Sequence, residues 1–134
     1  MITMLNSLID RKLIKIILPV TVIVADQISK YIIIKYFAQI IVFNQRGIWG
    51  VVPAWFGIIG LAILCFWLIK QTSPSLIYWV ILAAGISNFI DRLIYVGVVD
   101  WIHTFVWFPV FNFADMVISF GVIFLLSKEI INSN

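Results

Sequence analysis

Long apolar runs, broken by short polar clusters, set the pattern of this chain. The runs cover residues 13–34, 55–69, 76–93 and 112–126. A helix that crosses a bilayer needs about 20 predominantly apolar residues, so each run reads as a spanning helix. The fold class predicted is an all-α membrane protein with four transmembrane helices, folded as a single domain over 1–134. Segment 37–54 carries Asn44-Gln45-Arg46-Gly47, Gly50 and Pro53. It is too short and polar to span, and reads as a loop or small strand pair on the far side. Gln71-Thr72-Ser73-Pro74 makes a tight turn between the second and third runs. Segment 94–110, with Gly97, Asp100, His103 and Pro109, reads as an ordered loop at the membrane surface. Pro109 cannot continue a helix from before it. Asn112 suits the N-cap of the fourth helix, which puts Asp115 in its first turn, near the positive end of the dipole.

Composition supports the membrane reading. Hydrophobic residues make up 63% of the 134 and charged residues 11%, where a soluble domain has roughly 25% charged. Mean hydropathy is +1.14. The net charge of +3 does not point to nucleic acid, because the bases are scattered rather than set among aromatics on a polar face. The Trp and Tyr residues suit headgroup level. Cys65 is the single cysteine, deep in an apolar run, and reads as packing.

Arg11, Lys12 and Lys15 precede the first run and place the N-terminus in the cytoplasm. They resemble the start of a cleaved leader, but no small-x-small site follows, so the segment reads as an uncleaved first span. Four spans then put both termini inside. The cytoplasmic side receives Arg11, Lys12, Lys15, Lys70 and Lys128, and the far side Lys30, Lys35, Arg46 and Arg92. That bias is slight unless Lys30 and Arg92 belong to a site.

Four of the six acidic residues, Asp26, Asp91, Asp100 and Asp115, lie in or beside the apolar runs. A carboxylate near hydrocarbon costs on the order of 3 kcal/mol on insertion scales, and such residues usually mark function. Asp26 and Lys30 share a helix face, as do Asn88, Asp91 and Arg92. All four acidic patches fall near one depth on the outer side. Two carboxylates brought together share a proton and can activate water against a carbonyl. Asp100 on a loop and Asp115 at a helix start suit such a pair, because they come from separate elements. Asp91, beside Arg92 and on one face with Asn88, reads as a structural hydrogen-bonding group.

Other readings stand beside this one. Asp26 with Lys30, or Asp91 with Arg92, can be ion pairs that hold helices together. The acids can form the relay of a proton- or cation-coupled transporter, although relay acids spread through the membrane depth and these do not. His103 is the single histidine and no HExxH occurs, which disfavours zinc. Ser87 and Ser119 lack the flanking motif of a nucleophile, and no phosphate-binding glycine loop is present.

Taken together and in order, the patches resemble the bacterial lipoprotein signal peptidase family, signal peptidase II. Asp26-Gln27-Ile28-Ser29-Lys30 is similar to its first-helix DQxxK motif. Ala83-Ala84-Gly85-Ile86-Ser87-Asn88-Phe89-Ile90-Asp91-Arg92 resembles GGAxGNxxDR, and Val98-Val99-Asp100-Trp101-Ile102 resembles VVDFI. Phe108-Pro109-Val110-Phe111-Asn112-Phe113-Ala114-Asp115 is close to FPxFNxAD. Asn44-Gln45-Arg46-Gly47-Ile48-Trp49-Gly50 stands where the family has NxGAAFG, with Arg46 at a position usually glycine.

The resemblance implies an intramembrane aspartic endopeptidase that cuts signal peptides from diacylglyceryl-modified prolipoproteins just before the lipidated cysteine. By resemblance, Asp100 and Asp115 are the catalytic pair. Asp26, Lys30, Asn44, Asn88, Asp91, Arg92 and Asn112 match site-supporting or substrate-binding positions. No metal or other cofactor is implied. Partners are the lipid-modified prolipoprotein and membrane lipids, with the protein itself a monomer. The family's small extracytoplasmic strand cradle and interfacial segment are expected over 37–54, and its location, the bacterial inner membrane, is expected here. A catalytically silent homologue that only binds precursors is the remaining alternative.

Overall fold

The computed structural model describes residues 2–46, 53–72 and 74–132. The expected loop positions Gly47, Ile48, Trp49 and Gly50, and Ser73 of the expected turn, lie outside them. The chain is mostly helical. Helix α1 (Ile2–Tyr36) leads through a 3-10 turn (Ala38–Ile40) into strand β1 (Val42–Asn44). Helices α2 (Ala54–Lys70) and α3 (Leu76–Tyr95) follow, then strand β2 (Val98–Asp100) and helix α4 (Phe113–Asn132).

Three boundaries differ from the hydropathy reading for physical reasons. α1 begins well before residue 13, because Asp10, Arg11 and Lys12 are exposed helical positions and the backbone does not stop where the apolar run does. α4 likewise runs through Lys128 and Glu129 to Asn132. Among the described residues, the strand in segment 37–54 pairs with segment 94–110. The pairing is antiparallel, with Val42 opposite Asp100, Phe43 opposite Val99 and Asn44 opposite Val98.

The end of α3 explains how this pairing is reached. Val96 takes a left-handed conformation, φ 59°, which a β-branched residue rarely adopts. Gly97, the residue suited to it, is needed one step later. A Cβ there would lie 3.3 Å from the carbonyl oxygen of Asn44, so glycine lets β1 approach the chain as it leaves α3.

α3 is the central helix. It packs against α1, α4 and α2, while α1 also touches α4. The core is made of small residues, Val22, Ala83, Ala84 and Ala114, with Val80, Val117 and Ile118 packed around them. Small side chains let helix backbones approach closely, as membrane bundles do. Outward faces carry large apolar groups in the open, including Ile16, Ile63, Phe66 and Phe120. Among the described residues, Asp10–Tyr36 and Leu76–Tyr95 are long and apolar enough to cross a membrane, and Ala54–Lys70 is a shorter apolar helix.

Gly121 sets the spacing of α4 on α3, since a Cβ there would lie 2.6 Å from Cγ1 of Ile81. Gly121→Val should overpack this contact and lower stability by about 1–3 kcal/mol. Gly57 has nothing within 4 Å of its would-be Cβ, so Gly57→Ala should be neutral or slightly stabilising. Thermal unfolding of the detergent-solubilised variants checks both.

Candidate active site

The site begins with a cation that has almost no access to solvent. Lys30 on α1 is 1% exposed. Its Nζ lies 2.6 Å from Oδ2 of Asp26, one turn earlier, and 2.7 Å from Oδ2 of Asp91 on α3. It also donates to Oδ1 of Asn88 at 3.0 Å. Two carboxylates against one ammonium leave an excess negative charge in a buried place. Such a group is tolerated only when its remaining lone pairs are satisfied.

They are. Asp26 also accepts from Ser87 Oγ at 2.7 Å and from the backbone N–H of Ala114 at 2.9 Å. Asp91 accepts from Gln27 Nε2 at 2.8 Å and from the backbone N–H of Val99 at 3.1 Å. One acid therefore ties α1 to the start of α4, and the other ties α3 to β2. Those are the segments that carry Asp115 and Asp100.

Two asparagines connect this cluster to the remaining acids. An ammonium can only donate, so it holds the carbonyl oxygen of Asn88 towards itself. That turns the Asn88 amide nitrogen towards Asp115, where Nδ2 donates to Oδ1 at 2.8 Å. Asn112 precedes α4 and caps it, accepting the backbone N–H of Asp115 on Oδ1 at 2.9 Å. Its Nδ2 then donates to Oδ1 of Asp100 at 2.7 Å and to Oδ1 of Asn88 at 3.1 Å. From β1, Asn44 donates to the other oxygen of Asp100 at 3.0 Å. The carboxylate of Asp100 is thus held on both oxygens by amides from different elements.

Asp100 is 1% exposed. Burial, and next the charge of Asp115, push its carboxyl up to about 7, against the hydrogen bonds from Asn44 and Asn112 and the charge of Lys30.

Every residue singled out in the sequence for this site lies in the network: Asp26, Lys30, Asn44, Asn88, Asp91, Arg92, Asp100, Asn112 and Asp115. One pairing differs. The carboxylate of Asp91 is held by Lys30, Gln27 and Val99, while the guanidinium of Arg92 turns back to donate to the carbonyl of Asn88 at 3.2 Å. Adjacent residues on a helix point in directions about 100° apart, so the two side chains diverge. Two participants went unassigned from the sequence. Gln27 donates to the Ser87 hydroxyl at 3.0 Å as well as to Asp91. Ser87, fully buried, spends its proton on Asp26. The signal was Ser87 one turn before Asp91, on the same helix face.

Two openings reach the acids. A cavity of about 350 Å³ lies between α2, α3 and α4, with Asn44, Asn88, Arg92 and Asp115 at its polar end and Leu61, Leu64, Ile81 and Val122 among its apolar walls. A cleft of about 370 Å³ beside the strands is lined by Asn44, Arg46, Asp100, Pro109 and Val110. Asn44 borders both.

A helical chain with carboxylates gathered beside an apolar inter-helix cavity belongs to the class of membrane enzymes, and comparison with known proteins agrees. Two solved structures described as bacterial membrane enzymes are similar to it. One has a TM-score of 0.70 at 27% identity, covering 90% of this chain and 89% of its own. The other has a TM-score of 0.64 at 28% identity, covering 85% and 90%. The family model of signal peptidase (SPase) II matches residues 18–131. The lipoprotein signal peptidase of Staphylococcus haemolyticus (strain JCSC1435) is 28% identical over 147 residues, covering 90% of this chain and 93% of the relative. That of Staphylococcus aureus (strain Newman) is 32% identical over 137 residues, covering 83% and 84%. The chain belongs to the signal peptidase II family and is a peptidase.

Lys30→Met should leave Asp26 and Asp91 buried without their cation and destabilise the protein by about 3–5 kcal/mol. Adding Asp91→Asn to the same chain should recover part of that loss. Chemical unfolding of the single and double variants in one detergent measures the difference.

Proposed function

We propose that this chain removes signal peptides from diacylglyceryl-modified prolipoproteins, just before the lipidated cysteine, with Asp100 and Asp115 as the catalytic pair. The observation that carries the reading is Asn112. One amide holds Asp100 through Nδ2 and the backbone of Asp115 through Oδ1, so the two acids come from separate elements yet share one positioning group. The pair works with one proton. Its ionised member takes a proton from water as the oxygen attacks the scissile carbonyl, and its protonated member hydrogen-bonds the carbonyl oxygen. The proton belongs to the pair rather than to either residue. No metal or other cofactor enters this scheme. Asp26, Lys30, Asn88, Asp91 and Arg92 act as supports, and Asn44 as both a support and a substrate contact.

The two openings support a path for the substrate. The apolar segment of the signal peptide enters the cavity between α2, α3 and α4 and passes Asp115. The chain beyond the cut leaves through the cleft beside the strands, past Asp100. All four helices span the bilayer as one domain, with both termini in the cytoplasm and the acids near the outer face of the bacterial inner membrane. The enzyme works as a monomer. The full set of donors around both acids favours an active enzyme over a silent binder. The gathering of the acids at one end favours a hydrolase over an ion relay.

Asp100→Asn and Asp115→Asn should each lower turnover of a synthetic lipidated prolipoprotein peptide by on the order of 10²–10⁴-fold or more. Wild-type turnover in either variant overturns the assignment. The pH profile supplies a second check. As pH rises through about 7, the value to which burial and the charge of Asp115 raise the Asp100 carboxyl, the pair loses its proton, both members become anionic, and kcat/KM should fall. Asn112→Ala removes a hydrogen bond that favours the ionised carboxylate, so the alkaline limb should move to higher pH. A limb that stays in place or moves down contradicts this.

A further inference from the structure

Between Asp100 and Asp115 the chain carries no Asp, Glu, Lys or Arg, and at its middle reads Phe105-Val106-Trp107-Phe108. These residues form the tip of a hairpin with a well-defined base. The backbone N–H groups of Trp101 and Ile102 donate to the carbonyl of Phe111 at 3.1 and 2.8 Å, and that of Phe111 donates back to Ile102 at 3.3 Å. The turn closes with the N–H of Phe108 donating to the carbonyl of Phe105 at 3.0 Å. The ring of Phe108 meets that of Phe111 edge-on at 5.8 Å between centroids. His103 donates from Nε2 to the carbonyl of Ile40 at 2.7 Å, which ties the hairpin to the 3-10 turn after α1.

The base is held and the tip stands out. Phe105 is 75% exposed, Val106 103% and Trp107 93%. Consecutive large apolar residues this exposed are out of place in water and mark a contact with something apolar. The surroundings point to lipid. Tyr31 and Tyr36, near the same end of α1, lie under the ammonium of Lys35 at 5.7 and 5.2 Å. Tyrosines with a lysine are the usual furnishing of headgroup level. Leu93, Ile94 and Val96, where α3 ends, are exposed too. A lipid surface covers all of these at once, and Trp is the side chain that best suits its boundary.

We propose that the turn of residues 105–108 is a membrane anchor, whose apolar tip enters the leaflet at the site's end of the helices and fixes the height of the hairpin. The base of that hairpin adjoins Asp100 on one strand and Asn112 on the other. These two are joined at 2.7 Å. Lipid at the tip therefore holds the level at which the two acids meet.

The test places an environment-sensitive fluorophore at Val106→Cys in a Cys65→Ser background, with the full chain reconstituted in phosphatidylglycerol–phosphatidylcholine vesicles. Arg46→Cys, at an exposed cation on the same side, is the reference. At position 106, nitroxide-labelled lipid should quench several-fold more than aqueous iodide, and the order should reverse at position 46. Trp107→Cys repeats the measurement if the first variant does not fold. Equal iodide access at 106 and 46 overturns the proposal. So does energy transfer between labelled chains in place of lipid quenching, which would assign the tip to a second copy. Protection that arises only on adding lipidated peptide would make the turn a cover for substrate instead.

Discussion

The ammonium of Lys30 sits where the first and third helices meet, nearly sealed from solvent, with a carboxylate on each side. Neither acid is stable there without it, and it is not stable without them. A charge in such a place is costly unless every bond is made, and here each is. Among the donors that complete the two acids are backbone groups of β2 and of the first turn of α4. Electrostatic necessity in the bundle thus dictates where two other segments begin. The small core of Val22, Ala83, Ala84 and Ala114 follows from the same constraint, because only close helices bring these groups within reach.

From that cation the order passes outward through amides. Lys30 fixes which way Asn88 faces, Asn88 meets both Asp115 and Asn112, and Asn112 meets Asp100. A side-chain amide offers both donor and acceptor, so it can relay orientation where a hydroxyl or a second charge would not. The acids at the end of the relay each border one of the two openings. Burial there holds a carboxyl near neutrality, which is the condition for one group to hold and release a proton at ordinary pH.

Much of this was legible in the sequence. The bounds of α2 and α3 fall close to those read from hydropathy, and the capping role of Asn112 and the ion pair of Asp26 with Lys30 follow from spacing along a helix. The pairing of β1 with β2 was not legible. Strands of three residues carry no periodic signal, and the pairing depends on Gly97 coming close to Asn44 across a long gap in sequence. The partner of Asp91 was hidden for a related reason. Arg92 is its neighbour in the chain, but Lys30 is its neighbour in space, and only the packing of α1 on α3 reveals that. Ser87 and Gln27 went unassigned because their roles consist entirely of satisfying other residues.

The backbone bond from Ala114 to Asp26 joins residues 88 positions apart in the chain. It has a consequence for biogenesis. α1 leaves the ribosome before α4, yet it carries an acid with a donor that belongs to α4. Until α4 has been delivered, Asp26 has Lys30 and Ser87 but lacks its backbone donor, and Asp100 has no Asn112 beside it. A nascent chain therefore holds an incomplete network around Asp26 and Asp100. The network closes only when α4 joins the bundle.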